Sequence, residues 1–149
     1  MAKEKLKRIA VIVRPCSGKS TFAINLGKIL NIPVCHLDKY VFDGKTKRDM
    51  QEFLSIKQAC IDEESWIIEG CSFSTLEMRL ARADVLIYCD LPAWLCIGRL
   101  FKRLFSFDKK ILETGCLKGI NWALIKYIWN FDRDKRGNIE KLCKKYPEV

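Results

Sequence analysis

The sequence predicts an α/β fold of three layers, a parallel sheet of about four strands covered by helices on both faces. Three observations predict it. Four apolar runs, RIAVIV (8–13), PVCHL (33–37), WIIEG (66–70) and DVLIYCD (84–90), have the continuous hydrophobicity of buried parallel strands. Helix-like segments separate them, so strand and helix alternate along the chain. Right-handed crossovers between parallel strands then bring strand ends and helix starts to one edge.

Each element follows from its own residues. After the first run, SGKSTFAINLGKIL places Phe22, Leu26, Ile29 and Leu30 at helical spacing. The second run leads to a helix around 48–62, and the third to a helix near 73–82. The fourth passes Pro92 into the helical WLCIGRLFKRLF. Beyond residue 106 the pattern changes. FSFDKKILETGCLKG is polar, weakly periodic and carries two glycines, which predicts a mobile, lid-like insert at about 106–118. NWALIKYIWNF and the segment 134–146 read as two further helices, with no fifth strand before the last residue. There is no internal repeat, and the whole of 1–149 reads as one domain.

Composition narrows the function classes. With 49% apolar and 30% charged residues this is the balance of a globular protein, and no apolar run approaches the ~20 residues of a membrane span. The basic start followed by an apolar run leads into SGKS, not into a small-residue cleavage site, which predicts a cytoplasmic protein. Eight cysteines without a CxxC pair, and one histidine, His36, argue against a disulfide scaffold and a zinc site. The net charge of +9 is uneven: residues 1–98 hold 14 basic and 12 acidic groups, residues 99–149 hold 13 and 6. That asymmetry suits an anionic partner, or a solvated lysine face. The aromatics of NWALIKYIWNF suit packing better than base stacking.

The stretch VRPCSGKSTFA (13–23) carries the chemistry. A buried strand, a tight loop and GK[ST] opening a helix turn backbone N–H groups and the positive helix terminus toward phosphate oxygens. In such a loop, residues Cys16, Ser17, Gly18, Lys19, Ser20 and Thr21 surround the phosphates of ATP. Lys19 reaches the β- and γ-phosphates, and the Ser20 hydroxyl ligates Mg²⁺. The full pattern wants glycine at position 13, where this chain has valine, and Pro15 has no N–H to offer. These losses predict a weakened or reshaped loop.

SGKSTFAINLG, IPVCHLDKYVF, WIIEGCSFSTLEMRLARADVLIYCDLP and the Arg99/Arg103 helix together resemble P-loop kinases related to adenylate kinase. More narrowly, they resemble the small bacterial DNA topology modulation protein (FlaR-like) family, from about Ile9 to Tyr146. The resemblance implies a P-loop NTPase fold with strand order 2-3-1-4 and a fifth strand missing here. It also implies roles. Asp38 would orient or deprotonate an acceptor hydroxyl or act through water on Mg²⁺, the alternative being a helix-cap or turn carboxylate; Glu69 would support Mg²⁺, and Arg79 would hold the acceptor. Arg99 and Arg103, one helical turn apart, would meet the nucleotide and compensate developing charge; Arg136, and Arg133 near it, would close on phosphate. Asp90 suits a structural cap as well as a site. Cys71 and Phe73 replace a GNY-like turn, and Lys109 and Lys110 stand where relatives carry a lid arginine.

Two functions follow as expectations. The first is an ATP- and Mg²⁺-dependent phosphotransferase acting on a small acceptor, with no membrane partner. The alternative is a degenerate nucleotide-binding regulatory protein, with a DNA-linked role as one form of it, although the basic residues lack any recognisable nucleic-acid motif.

Overall fold

The computed structural model describes residues 6–43, 46–70, 72–105 and 122–149. RIAVIV forms strand β1 (Arg8–Val13), buried along nearly its whole length. The remaining sheet strands are β2 (Val34–His36), β5 (Trp66–Glu69) and β6 (Val85–Cys89), all parallel. In space they lie in the order β2-β5-β1-β6. The expected order counted only four strands. A short antiparallel ribbon, β3 (Phe42–Asp43) with β4 (Thr46–Lys47), was not foreseen and takes two numbers between the second and third sheet strands.

Strand alternation sorts the sheet into two faces. Ile9, Val11 and Ile67 point to one side, where helix α1 (Lys19–Leu30) covers them with Ala23. Ala10, Trp66 and Ile68 point to the other, against Ile61 of α2 (Met50–Asp62). On that second side Ile12 packs with Leu76 and Leu80 of α3 (Leu76–Leu80) and with Phe131 and Ile139. The last two belong to α5 (Trp122–Phe131) and α6 (Gly137–Lys145). Helix α4 (Ala93–Phe105) rests on α5 through Cys96, Leu100 and Ile128. No described helix is long and apolar enough to cross a membrane.

Two details correct the sequence reading. The expected inward stripe of α1 included Phe22 and Ile29, which are exposed at 40% and 79%. The helix instead buries Ala23 and Gly27. A Cβ at Gly27 would lie 2.5 Å from Val34 Cγ2 and 2.9 Å from the Ile32 carbonyl, so small residues set how closely α1 meets the sheet. The two C-terminal helices, read as separate, are joined by a π-helical turn over Asp132–Arg136.

Asp49 starts α2 by accepting the Gln51 N–H at 2.9 Å, an ordinary N-cap. The connections after β1 and β5 leave toward opposite faces, to α1 and to α3. In open α/β sheets ligands bind where connections diverge in this way, at the carboxyl ends of the strands.

Candidate functional site

The carboxyl edge of the sheet carries first the loop joining β1 to α1. Ser17 N–H donates to the Arg14 carbonyl at 3.3 Å, closing a turn around Pro15 and Cys16. Cys16 (φ 64°) and Gly18 (φ 94°) both take left-handed backbone. Glycine does so freely, whereas at Cys16 the conformation costs about 1 kcal/mol. Arg99 Nη1, from α4, donates to the Ser17 carbonyl. Arg14 is buried, donates Nη1 to the Leu91 carbonyl at 2.8 Å and pairs with Asp132 of the π-helical turn. One arginine thus anchors each end of the loop to neighbouring elements.

Helix α1 begins at Lys19 with no acidic residue in its first turn, so its N-terminal N–H groups keep their positive potential. The Lys19 side chain is nearly buried. Its Nζ lies 2.6 Å from Asp38 Oδ2 and 2.9 Å from Glu69 Oε2. Glu69 is fully buried at the end of β5, opposite Val11 on one side and His36 on the other. Alternation places it on the same face as Ile67, where it meets the first turn of α1. Ser20 Oγ donates to Glu69 Oε1 at 2.9 Å, and His36 Nδ1 lies 2.7 Å from the same oxygen. An ionised carboxylate only accepts, so this nitrogen carries the hydrogen.

The charge state of Glu69 is decided by opposing effects. Burial alone would raise its pKa. The His36 hydrogen bond, the charge and close contact of Lys19, and the Ser20 hydrogen bond outweigh it and hold the carboxyl at about 2. Its Oε2 faces Lys19 as an ion pair without hydrogen-bond geometry. Asp38, on a 3₁₀ turn (Leu37–Tyr40) just past β2, is the partner that stays open to solvent, at 33% exposure. Gly70, at φ 150°, makes room for it: a Cβ there would lie 2.9 Å from Leu37 Cβ and 3.4 Å from Asp38 Oδ1.

A second cationic cluster lies beyond Gly70. Lys57, on α2, is buried and donates Nζ to Ser72 Oγ at 2.5 Å and Thr75 Oγ1 at 3.1 Å. The ammonium also sits 3.8 Å from the centre of the Phe53 ring. Burial, helped by the Arg79 charge and opposed by Asp38, lowers its pKa to about 8.

The residues singled out in the sequence divide accordingly. Lys19, Ser20, Asp38 and Glu69 come together in one centre, and Ser17, Gly18 and Arg99 meet at the loop beside it. Thr21 is exposed on the first turn of α1, and Cys16 is half-buried. Arg103 is half-buried on α4, with no partner among the described residues. Arg79 is buried and donates to the Gly70 carbonyl at 3.3 Å and the Ser72 carbonyl at 2.9 Å, so here it braces the turn after β5. Arg136 pairs with Asp90 at 3.2 Å and Glu140 at 3.3 Å, and Arg133 with Asp134. None of those described contacts is with the loop. Cys71, Lys109, Lys110 and the insert at about 106–118 lie outside the described residues.

Sequence reading missed Arg14, Lys57 and the role of His36. The HLD tripeptide contained the His36 signal, since a strand-end histidine can address a neighbouring strand's carboxylate. Arg14 and Lys57 had no local signal. A scan against protein-family models finds no match for this chain, and a search of curated proteins finds none.

Proposed function

We propose that the protein is an ATP-dependent phosphotransferase of the P-loop NTPase class, moving the γ-phosphoryl group to a small acceptor. The single observation that carries the proposal is the buried, ionised Glu69 joined to Lys19 and Ser20 at the first turn of α1. A core strand end has no packing use for such a carboxylate, and burying it is costly unless its partners matter. The α/β/α layering, the loop after β1 and the divergence of connections at the carboxyl edge support the same reading.

The parts divide the work. The first-turn N–H groups of α1 and Lys19 supply positive charge for phosphate oxygens. In the structure Lys19 is neutralised by Asp38 and Glu69, so phosphate binding exchanges one anionic partner for another. Arg99, already on the Ser17 carbonyl, brings a second cation to the loop. Asp38 combines contact with Lys19 and access to solvent, which suits a group that orients an acceptor hydroxyl and takes its proton.

Magnesium fits the residues present in a limited way. Ser20 Oγ and Glu69 are adjacent, and Glu69 Oε2 lacks a hydrogen bond. No cluster of three or more His, Cys, Asp or Glu side chains with ligand spacing occurs among the described residues. Ser20 and Glu69 would therefore supply a minority of the oxygens, the remainder coming from water and phosphate, as Mg²⁺ commonly accepts. Bound there, the ion would neutralise phosphate charge.

Thermal melting tests the proposal. Millimolar Mg·ATP is expected to raise Tm by a few degrees, by mass action, and Lys19→Ala to abolish the shift. An unchanged wild-type melting curve rules out the reading. ADP release measured across nucleoside monophosphates, nucleosides and small hydroxylated metabolites then identifies the acceptor.

A further inference from the structure

Away from the Lys19–Glu69 centre, one pair of nucleophilic side chains plays no part in the proposed reaction. The sulfurs of Cys35, in the middle of β2, and Cys60, near the end of α2, stand 2.7 Å apart. Alternation turns Cys35 away from α1, toward the core that Leu37, Ile61, Trp66 and Ile68 form with α2. Ile61 anchors α2 in that core, and Cys60 precedes it. Two elements that pack through one core thus hold the thiols face to face. The gap is about 0.7 Å beyond the roughly 2.05 Å of a disulfide, within reach of a small side-chain adjustment. Both thiols are half-buried, so a small oxidant reaches them.

Their chemistry is unequal. The hydrogen bond between them lowers the Cys60 pKa and, with burial, raises that of Cys35. Cys60 is the thiol that ionises first, with Cys35 as its donor. The thiolate is the nucleophile in thiol oxidation.

We propose that Cys35 and Cys60 form a peroxide-responsive dithiol that closes to a disulfide and pins α2 to β2. The Cys60 thiolate attacks one peroxide oxygen and the O–O bond breaks. This leaves a sulfenic acid on Cys60 and a hydroxide that takes up a proton as water. The Cys35 sulfur then attacks the sulfenic sulfur, the S–O bond breaks, and the Cys35 proton leaves with the hydroxide as a second water. The two thiols lose two electrons and the peroxide gains them. The bond closes the connection that runs from β2 through the ribbon to α2. Since β2 lies at the edge of the sheet and among the described strands pairs only to β5, this adds a second tether to it. The next residue, His36, supports Glu69, so the tether acts directly behind the charged centre.

The full chain treated with hydrogen peroxide, then mapped by non-reducing proteolysis and mass spectrometry, tests this. The expected product is one linked peptide joining Cys35 to Cys60, reversed by dithiothreitol. Hydrogen exchange of α2 amides is expected to slow by at least about tenfold in the oxidised protein, and not in Cys60→Ser. The exposed Cys143 serves as an internal control for peroxide. Oxidation of Cys143 while Cys35 and Cys60 remain free, or separate sulfinic acids at the two positions, overturns the proposal. So does a linked peptide with unchanged α2 exchange. None of these readouts depends on nucleotide binding.

Discussion

Two lysines are withdrawn from solvent on either side of Gly70, and the protein treats their charges in opposite ways. Lys19 is held by two carboxylates, one of them fully buried. Lys57 is held by two hydroxyls and an aromatic ring. In the first cluster opposite charges stabilise each other, and the Glu69 carboxyl falls from 4.5 to about 2. In the second the cation meets burial and the Arg79 charge, and its pKa falls from 10.5 to about 8. A buried charge survives through compensation in one region and is disfavoured in the other. Lys19 therefore suits exchange with an incoming anion, whereas Lys57 suits a fixed hydrogen-bonded brace between α2 and the turn after β5.

The two pH dependences share a sign, stability rising with pH in both, but they fall in different windows and act on opposite charges. Glu69 has a lowered folded pKa, so its contribution of roughly 3 kcal/mol is fully present above pH 4.5 and is lost as pH falls toward about 2. Lys57 also has a lowered folded pKa, but it is a base. Below about pH 8 its protonation costs the folded state roughly 3 kcal/mol, a cost relieved as pH rises to 10.5.

The largest expected effect comes from Glu69→Gln. It removes the buried carboxylate that faces Lys19 and should cost about 3–5 kcal/mol in urea unfolding at pH 7. It should also flatten the acid limb between pH 4.5 and 2. A loss under about 1 kcal/mol would mean that the Lys19 cluster is no better compensated than the Lys57 cluster. Lys57→Met is expected to change stability at pH 7 by no more than about 1 kcal/mol, because lost hydrogen bonds and removed charge burial offset each other. It should erase the gain in stability between pH 8 and 10.5, and an unchanged alkaline limb would assign that titration elsewhere. The smallest pH-dependent effect is expected for Asp49→Ala, which leaves both charge clusters in place. Losing the cap of the helix that carries Lys57 should cost about 1 kcal/mol, equally at pH 7 and 9.5.

Several elements were legible in the chain because their causes are local. The apolar runs at 8–13 and 66–69 are buried strands, and continuous hydrophobicity is what a strand covered on both faces requires. Gly18 followed by Lys19 and Ser20 marked the start of α1, since a left-handed residue before a helix favours glycine. Glu69 was legible as out of place in an apolar run. The ribbon at 42–47 was missed because two-residue strands have no periodicity. Phe22 and Ile29 misled because helical spacing shows that a stripe exists but not how closely it meets its neighbour.

By itself, the sequence determined the strand and helix alternation, the loop position and the residue types at the start of α1. All of these depend on neighbours within a few positions. Only the tertiary structure decided which charges meet. Lys19 with Asp38 and Glu69, His36 with Glu69, Arg14 with Asp132, and Cys35 with Cys60 are pairings across long stretches of chain. Their distances are set by how closely α1, α2 and the π-helical turn pack on the sheet. That packing is a cooperative outcome of the whole core, and no single segment encodes it.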